Sequence, residues 1–133
     1  MNANVPTSIK LHKQSATLEL LYTDESSCTL RAEFLRVQSP SAEVKGHGKG
    51  QETLQTGKRN VAISNVEIVG NYAIRLTFDD GHNSGLFSWA YLSELGERED
   101  ELWQSYLDKL RAHGASRDTL PADTQAISIQ PLS

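Results

Sequence analysis

The sequence predicts an α+β fold: antiparallel β-hairpins forming a small mixed sheet, with short helices and one C-terminal amphipathic helix. Three observations predict it. Apolar residues alternate over Thr17–Thr23, two extended runs flank Gly70-Asn71, and an apolar stripe with helical period runs through residues 97–113.

In the first run Leu18, Leu20 and Tyr22 share one side, with Thr17, Glu19, Leu21 and Thr23 opposite. A period of two gives a strand with one buried face. Asp24, Glu25, Ser26 and Ser27 supply turn chemistry, and Cys28–Leu30 returns as a second strand. Ala32–Val37 then reads as one helical turn anchored by Phe34, Leu35 and Val37. From Gln38 to Arg59 the chain turns polar, with Pro40, Gly46, Gly48, Gly50 and Gly57 among Ser, Gln, Lys and Glu. A loop of that length is either mobile or functional.

The clearest hairpin follows. Val61, Ile63, Val66, Ile68 and Val69 form one run, Gly70-Asn71 the turn, and Tyr72, Ile74, Leu76 and Phe78 alternate on the return. Asp79–Asn83 is a second turn, leading to a short strand, Ser84–Phe87. Ser88 is the expected N-cap of a helix through Leu95, closed by Gly96. The last helix carries Leu102, Trp103, Tyr106, Leu107 and Leu110 on one stripe. Acidic residues sit at its start and basic ones at its end, matching the helix dipole. Leu20–Asp24 with Leu30 and Phe34-Leu35 is echoed by Leu76–Asp80 with Leu86 and Tyr91-Leu92, so two copies of strand, turn, strand, short helix are expected. Residues 1–113 read as a single domain and 114–133 as a flexible tail, in which Ile127 and Ile129 can form a weak edge strand.

With 133 residues and 38% hydrophobic content, the chain reads as one folded centre with polar ends. A net charge of −4 lays down no electrostatic footprint for duplex nucleic acid. Cys28 is the only cysteine, so no intramolecular disulfide forms. Met1–Lys13 lacks the apolar core of a signal peptide, and no run approaches the roughly 18 apolar residues of a membrane span. A reduced, cytoplasmic setting is expected.

The catalytic and binding chemistries each meet a plainer reading. Cys28 lies in an expected strand with no base beside it, and no G-x-S-x-G elbow is present. Lys45-Gly46-His47-Gly48-Lys49-Gly50 has the composition of a phosphate loop without P-loop or dinucleotide spacing. If it binds, an anion is its natural ligand, with Lys45, Lys49, Lys58 and Arg59 at hand. His12, His47, His82 and His113 are scattered, and no C-x-x-C pair occurs, so no metal is expected. Asp79-Asp80-Gly81-His82 is better explained as turn chemistry than as an acid/base cluster. Trp89 and Tyr91 are better explained as core than as stacking platforms.

Leu35–Gly48, Gly57–Val61, Val69–Leu76 and Asp79–Leu92 contain several unusual strings in order. Over about Ile9–Leu95 they closely resemble the gamma-butyrobetaine hydroxylase-like N-terminal domain, a bacterial domain of unknown function. The resemblance implies an appendage: in eukaryotic 2-oxoglutarate oxygenases such a domain precedes the catalytic barrel, and a related one is attached to some iron–sulfur carrier ATPases. It also implies a structural zinc held by three cysteines and a histidine. His82 matches the histidine, but the cysteine-bearing stretch corresponds to Ser39–Val44, which has none. Serine hydroxyls are poor zinc ligands, so loss of the zinc is expected. Oxygenase activity is not expected, because its iron triad belongs to a separate barrel for which this chain is too short.

The expected function is thus a non-catalytic accessory or protein-interaction module with a protein partner, linked by analogy to iron–sulfur or oxygenase systems. The alternative is a small-ligand or anion-binding domain using the Gly-rich basic loop 45–59 with His82. The candidate interaction residues are His47, Lys58, Arg59, Asp80, His82, Trp89 and Tyr91, with no catalytic residue and no cofactor.

Overall fold

A computed structural model describes residues 5–46 and 52–118. The first hairpin is longer than the alternation at Thr17 indicates. Strand β1, Ser8–His12, pairs with β2, Thr17–Leu21, which pairs in turn with β3, Ser27–Arg31, all antiparallel. The register sets Leu11 opposite Leu18 and Leu18 opposite Leu30, and Leu18, Leu20 and Leu30 are fully buried. β1 was hidden in a polar opening because it is a half-exposed edge with two apolar side chains, Ile9 and Leu11.

The second unit repeats the plan. β4, Ile63–Val69, pairs with β5, Ala73–Phe78, and β5 with β6, Leu86–Ser88. Gly70 takes φ +57°, as the expected turn requires, and Tyr72 lies in the turn rather than the strand, 56% exposed. A bulge between Ile63 and Asn65 bends β4. The α+β class therefore holds, and its strands are divided between two purely antiparallel sheets, β1-β2-β3 and β4-β5-β6. Short turns between successive strands permit only antiparallel neighbours. The repeat in the sequence is this duplication.

A helix follows each sheet directly. α1, Ala32–Val37, has all six residues buried. α3, Trp89–Glu97, starts at Ser88, whose side chain accepts from the Tyr91 N–H, as expected of an N-cap. Between the two units the polar stretch holds one unexpected turn of helix, α2, Ala42–Lys45, capped by Ser41. α4, Glu99–Ala112, completes the chain order and buries Tyr106 and Leu110. No helix among the described residues is long and apolar enough to cross a membrane.

The inner faces of both sheets share one core with Phe34, Leu35, Trp89, Leu92 and Leu95. Each fully buried leucine there contributes roughly 1.5–3 kcal/mol. The start of the stretch read as a tail is tied down. Ser116 and Arg117 carbonyls accept from the Gly57 and Arg59 N–H groups, and Arg117 makes two 2.7 Å bonds to buried Glu33. The Arg31 and Arg117 guanidiniums both lie over the Trp103 ring, 4.2 and 5.0 Å from its centroid. The edge strand expected at Ile127 and Ile129 falls outside the described residues.

Gly96 does not end its helix. It lies inside α3, where a Cβ would fall 2.7 Å from Cys28 Sγ on β3. A glycine here lets the helix approach the sheet. Gly96→Ala should therefore lower stability by about 1–2 kcal/mol despite alanine's better helix propensity. Adding Cys28→Ala should remove most of that loss. Urea unfolding of both single variants and the double variant checks this through their coupling.

Candidate functional site

The turn after β5 positions a densely connected polar group. Asp80 Oδ1 accepts from the His82 N–H at 3.1 Å, Gly81 takes φ +92°, and the Phe78 N–H returns to the His82 carbonyl at 2.9 Å. These bonds aim the His82 ring inward, leaving its side chain 3% exposed. There it meets the segment between α1 and α2. His82 Nε2 lies 2.9 Å from Ser39 Oγ, and Nδ1 lies 3.0 Å from Glu43 Oε2.

Burial, helped by the Arg36 charge and opposed by Glu43, moves the His82 pKa below its ordinary value, so the ring is neutral at pH 7. The carboxylate can only accept, so Nδ1 carries the proton and Nε2 accepts from the Ser39 hydroxyl. Ser39 Oγ in turn accepts from the Ser41 N–H at 3.3 Å. Ser41 Oγ accepts from the Glu43 N–H and shares a 2.6 Å bond with Ser84 Oγ. A Cβ on Gly85 would fall 2.3 Å from Ser39 Oγ, so only glycine leaves room for this arrangement.

Asp80 gathers a second set of partners. Its Oδ2 accepts from Arg36 Nε at 2.9 Å and Lys58 Nζ at 2.6 Å. Burial works to raise its pKa, but Lys58, the His82 N–H and Arg36 outweigh it and hold the carboxyl at about 2. Arg36 is buried from α1, and its Nη1 finds no acceptor among the described residues.

Ser39, His82 and Glu43 have the spacing of a nucleophile, a base and an orienting carboxylate. Access is what they lack: Ser39 is 0% exposed and lines neither of the two described cavities. Ser39 and His82 are buried and Glu43 closes the relay from the surface, so the three hold two segments together.

Lys58 and His82 are thus brought together through Asp80, which accepts from both. Arg59 instead faces Asp118. Trp89 is core, its Nε1 donating to the Asn71 carbonyl at 3.0 Å. The Tyr91 hydroxyl donates to the Gln38 carbonyl, and burial, with Glu94 adding, pushes its pKa up to about 12. His47, with Gly48, Lys49 and Gly50, lies outside the described residues. None of Arg36, Ser39, Ser41, Glu43 and Ser84 is among the candidate residues of the sequence, although the resemblance sets Ser39–Val44 with His82 as the former zinc-bearing segment. The one local signal was Ser41 ahead of an acidic residue, a helix start too short to show periodicity.

A separate groove of about 410 Å³ opens between α2, residues 52–55 and α4. Val37, Val44, Leu54, Leu102 and Tyr106 line it, with Lys45, Lys109 and His113 among its polar groups. The Tyr106 hydroxyl donates to the Gln55 carbonyl at 2.7 Å, fixing one wall. Burial, and then the neighbouring Lys109 charge, lowers the Lys45 pKa, with Glu52 and Glu94 opposing.

Fold and site together define a small duplicated α+β domain with an internally bonded polar cluster and, apart from it, the α2–α4 groove. The chain belongs to the gamma-butyrobetaine hydroxylase-like N-terminal family, which matches residues 9–93. Two solution structures are similar to it over nearly its whole length. One is 50% identical, covers 96% of this chain and 100% of its own, and has a TM-score of 0.77. The other is 43% identical, covers 98% and 96%, and has a TM-score of 0.76. A crystal structure of a protein of unknown function from Acidithiobacillus ferrooxidans, assigned to family DUF971, is 36% identical over 69% of this chain and 92% of its own, with a TM-score of 0.58. No curated protein matches.

The zinc that the family implies does not fit these side chains. The atoms facing His82 Nε2 and its neighbours are hydroxyls, already donating to and accepting from one another. A neutral hydroxyl lacks the thiolate charge on which a structural zinc site depends. Among the described residues no three His, Cys, Asp or Glu side chains are grouped to hold a metal.

Asp80 has a measurable consequence. Its depressed pKa contributes stability that is present above the unfolded value of 3.8 and lost as pH falls toward about 2. With its side chain 23% exposed, solvent screening leaves about 1–2 kcal/mol. Asp80→Asn should be destabilised by that amount at pH 7, with the gap to wild type closing between pH 4 and pH 2. Urea midpoints across that range check it.

Proposed function

We propose that the chain is a non-catalytic accessory module that works by binding, and that the α2–α4 groove is its working surface. Its ligand is a small organic anion with an apolar body. The observation that carries this is Lys45, a half-buried ammonium beside an apolar floor with no ion-pair partner among the described residues. A cation held out of water near a second lysine is stabilised by an incoming carboxylate or phosphate. The groove's volume falls in the range that accepts small molecules. This keeps the anion-binding reading of the 45–59 region but moves it away from His82, whose ring nitrogens are both engaged. The non-catalytic part rests on the same engagement, together with the burial of Ser39. A reduced, cytoplasmic setting suits Cys28, a half-buried thiol whose pKa burial raises.

A protein-docking role has separate support. Ile68 and Tyr72, 67% and 56% exposed, stand together at the β4–β5 turn. Exposed apolar side chains at a hairpin tip suit a partner protein, as an accessory module linked to an oxygenase or iron–sulfur system would need.

Amide NMR titration with hexanoate, acetate and inorganic phosphate tests the groove. Hexanoate should shift Val44, Lys45, Leu54, Tyr106 and Lys109 together and bind more tightly than acetate or phosphate. Lys45→Ala with Lys109→Ala should weaken hexanoate at least about tenfold, the loss of one charge-assisted contact. Silence at those amides with all three ligands, or shifts centred on Ile68 and Tyr72, would count against the groove.

A further inference from the structure

Ser39 and His82 are 43 residues apart in the chain and 2.9 Å apart in space. They join the segment leading into α2 to the turn between β5 and β6, and Ser41 and Ser84 make a second crossing at 2.6 Å. We infer that these residues form a metal-free staple, in which a hydrogen-bond relay does the cross-linking that zinc does in cysteine-bearing members of the family. The proton order is set by the groups themselves. The Ser41 N–H donates to Ser39 Oγ, the Ser39 hydroxyl to His82 Nε2, and His82 Nδ1–H to the Glu43 carboxylate. No donor in that line is left over, and no acceptor faces another acceptor.

Three features support a staple over a vestige. First, Ser39 and His82 are both buried, so water cannot substitute for either partner. Second, Gly85 is packed so that any side chain would displace Ser39 Oγ, which fits a site held to one geometry. Third, Ser41 serves twice, capping α2 and bonding Ser84, so the cluster also decides where that helix begins. Ser39 and Ser41 lie in the stretch that the resemblance sets against the cysteines, and Ser84 is bonded to Ser41. Ser39 faces Nε2 of His82, with Ser41 bonded to Ser39 through its N–H and to Ser84 through its hydroxyl, while Glu43 occupies the Nδ1 side.

The experiment uses full-length protein purified without a histidine tag, measured by elemental analysis and thermal unfolding with and without EDTA. The wild type should carry less than about 0.1 zinc per chain and unfold at the same temperature after chelation. Ser39→Ala and Gly85→Ala should each lower the midpoint by several degrees. Ser39→Cys/Ser41→Cys/Ser84→Cys should bind one Co2+ with thiolate-to-metal absorption and become sensitive to EDTA. Stoichiometric zinc in the wild type would overturn the inference. So would unchanged midpoints in both single variants, or a folded triple variant that ignores Co2+. If the triple variant does not fold, chelation of the wild type and the two single variants decide. Hydrolysis of p-nitrophenyl acetate that disappears in Ser39→Ala would also overturn it, by making the trio catalytic.

Discussion

The hydrogen bond between Ser39 and His82 is the contact around which the polar half of this domain is built. A buried imidazole left without partners costs roughly 1–3 kcal/mol for each unsatisfied nitrogen. Satisfying it imposes conditions outward. Position 85 must be glycine, and α2 must begin where Glu43 reaches Nδ1. The same turn then presents Asp80 to Arg36 on α1 and to Lys58. One bond thus aligns the end of the first unit, the connection between units, and the β5–β6 turn of the second. Networks of this kind are cooperative, because each polarised bond strengthens its neighbours.

Much of the fold was legible, for a simple physical reason. Leu18, Leu20, Ile74, Leu76 and Phe78 alternate because their strands have one wet and one dry face, and the turn at Gly70 needs a positive φ. Ser88 was recognisable because a cap acts within three residues of itself. What escaped was set by distant partners. β1 has too few apolar residues to declare a face, α2 is shorter than one helical period repeated, and Gly96 is explained only by Cys28 on another element. The site followed the same rule. His82 and Asp80 stood out as turn residues, but Ser39, Glu43 and Arg36 acquire meaning only across separations of 39 to 44 residues. Nothing local in a serine announces that a histidine will face it.

The chain keeps its two kinds of chemistry apart. Around His82 the donors and acceptors are matched to each other, with Arg36 Nη1 the exception among the described residues. In the groove, Lys45 and Lys109 repel each other, and Glu52 on the groove wall and Glu94 oppose that repulsion without forming an ion pair with Lys45 among the described residues. An inward cluster with matched partners gives rigidity, whereas an outward surface with unmatched cations leaves interaction energy unused until something arrives. That contrast is why the groove, and not the histidine, carries the binding proposal.

It also bears on how the domain remains folded with hydroxyls where the resemblance implies a metal. A structural zinc can supply on the order of 10 kcal/mol of folding free energy, whereas each neutral hydrogen bond in the relay adds net only about 1 kcal/mol. The relay therefore fixes geometry without being the main source of stability. That source is the core, which runs continuously from Leu18, Leu20 and Leu30 of the first sheet through Phe34 to Ile74, Leu76 and Phe87 of the second. Because those side chains already join the two units, the polar cluster is left the local task of tying the Ser39–Glu43 segment to the β5–β6 turn and setting the direction of both. Directional, weak and fully partnered bonds are suited to that task.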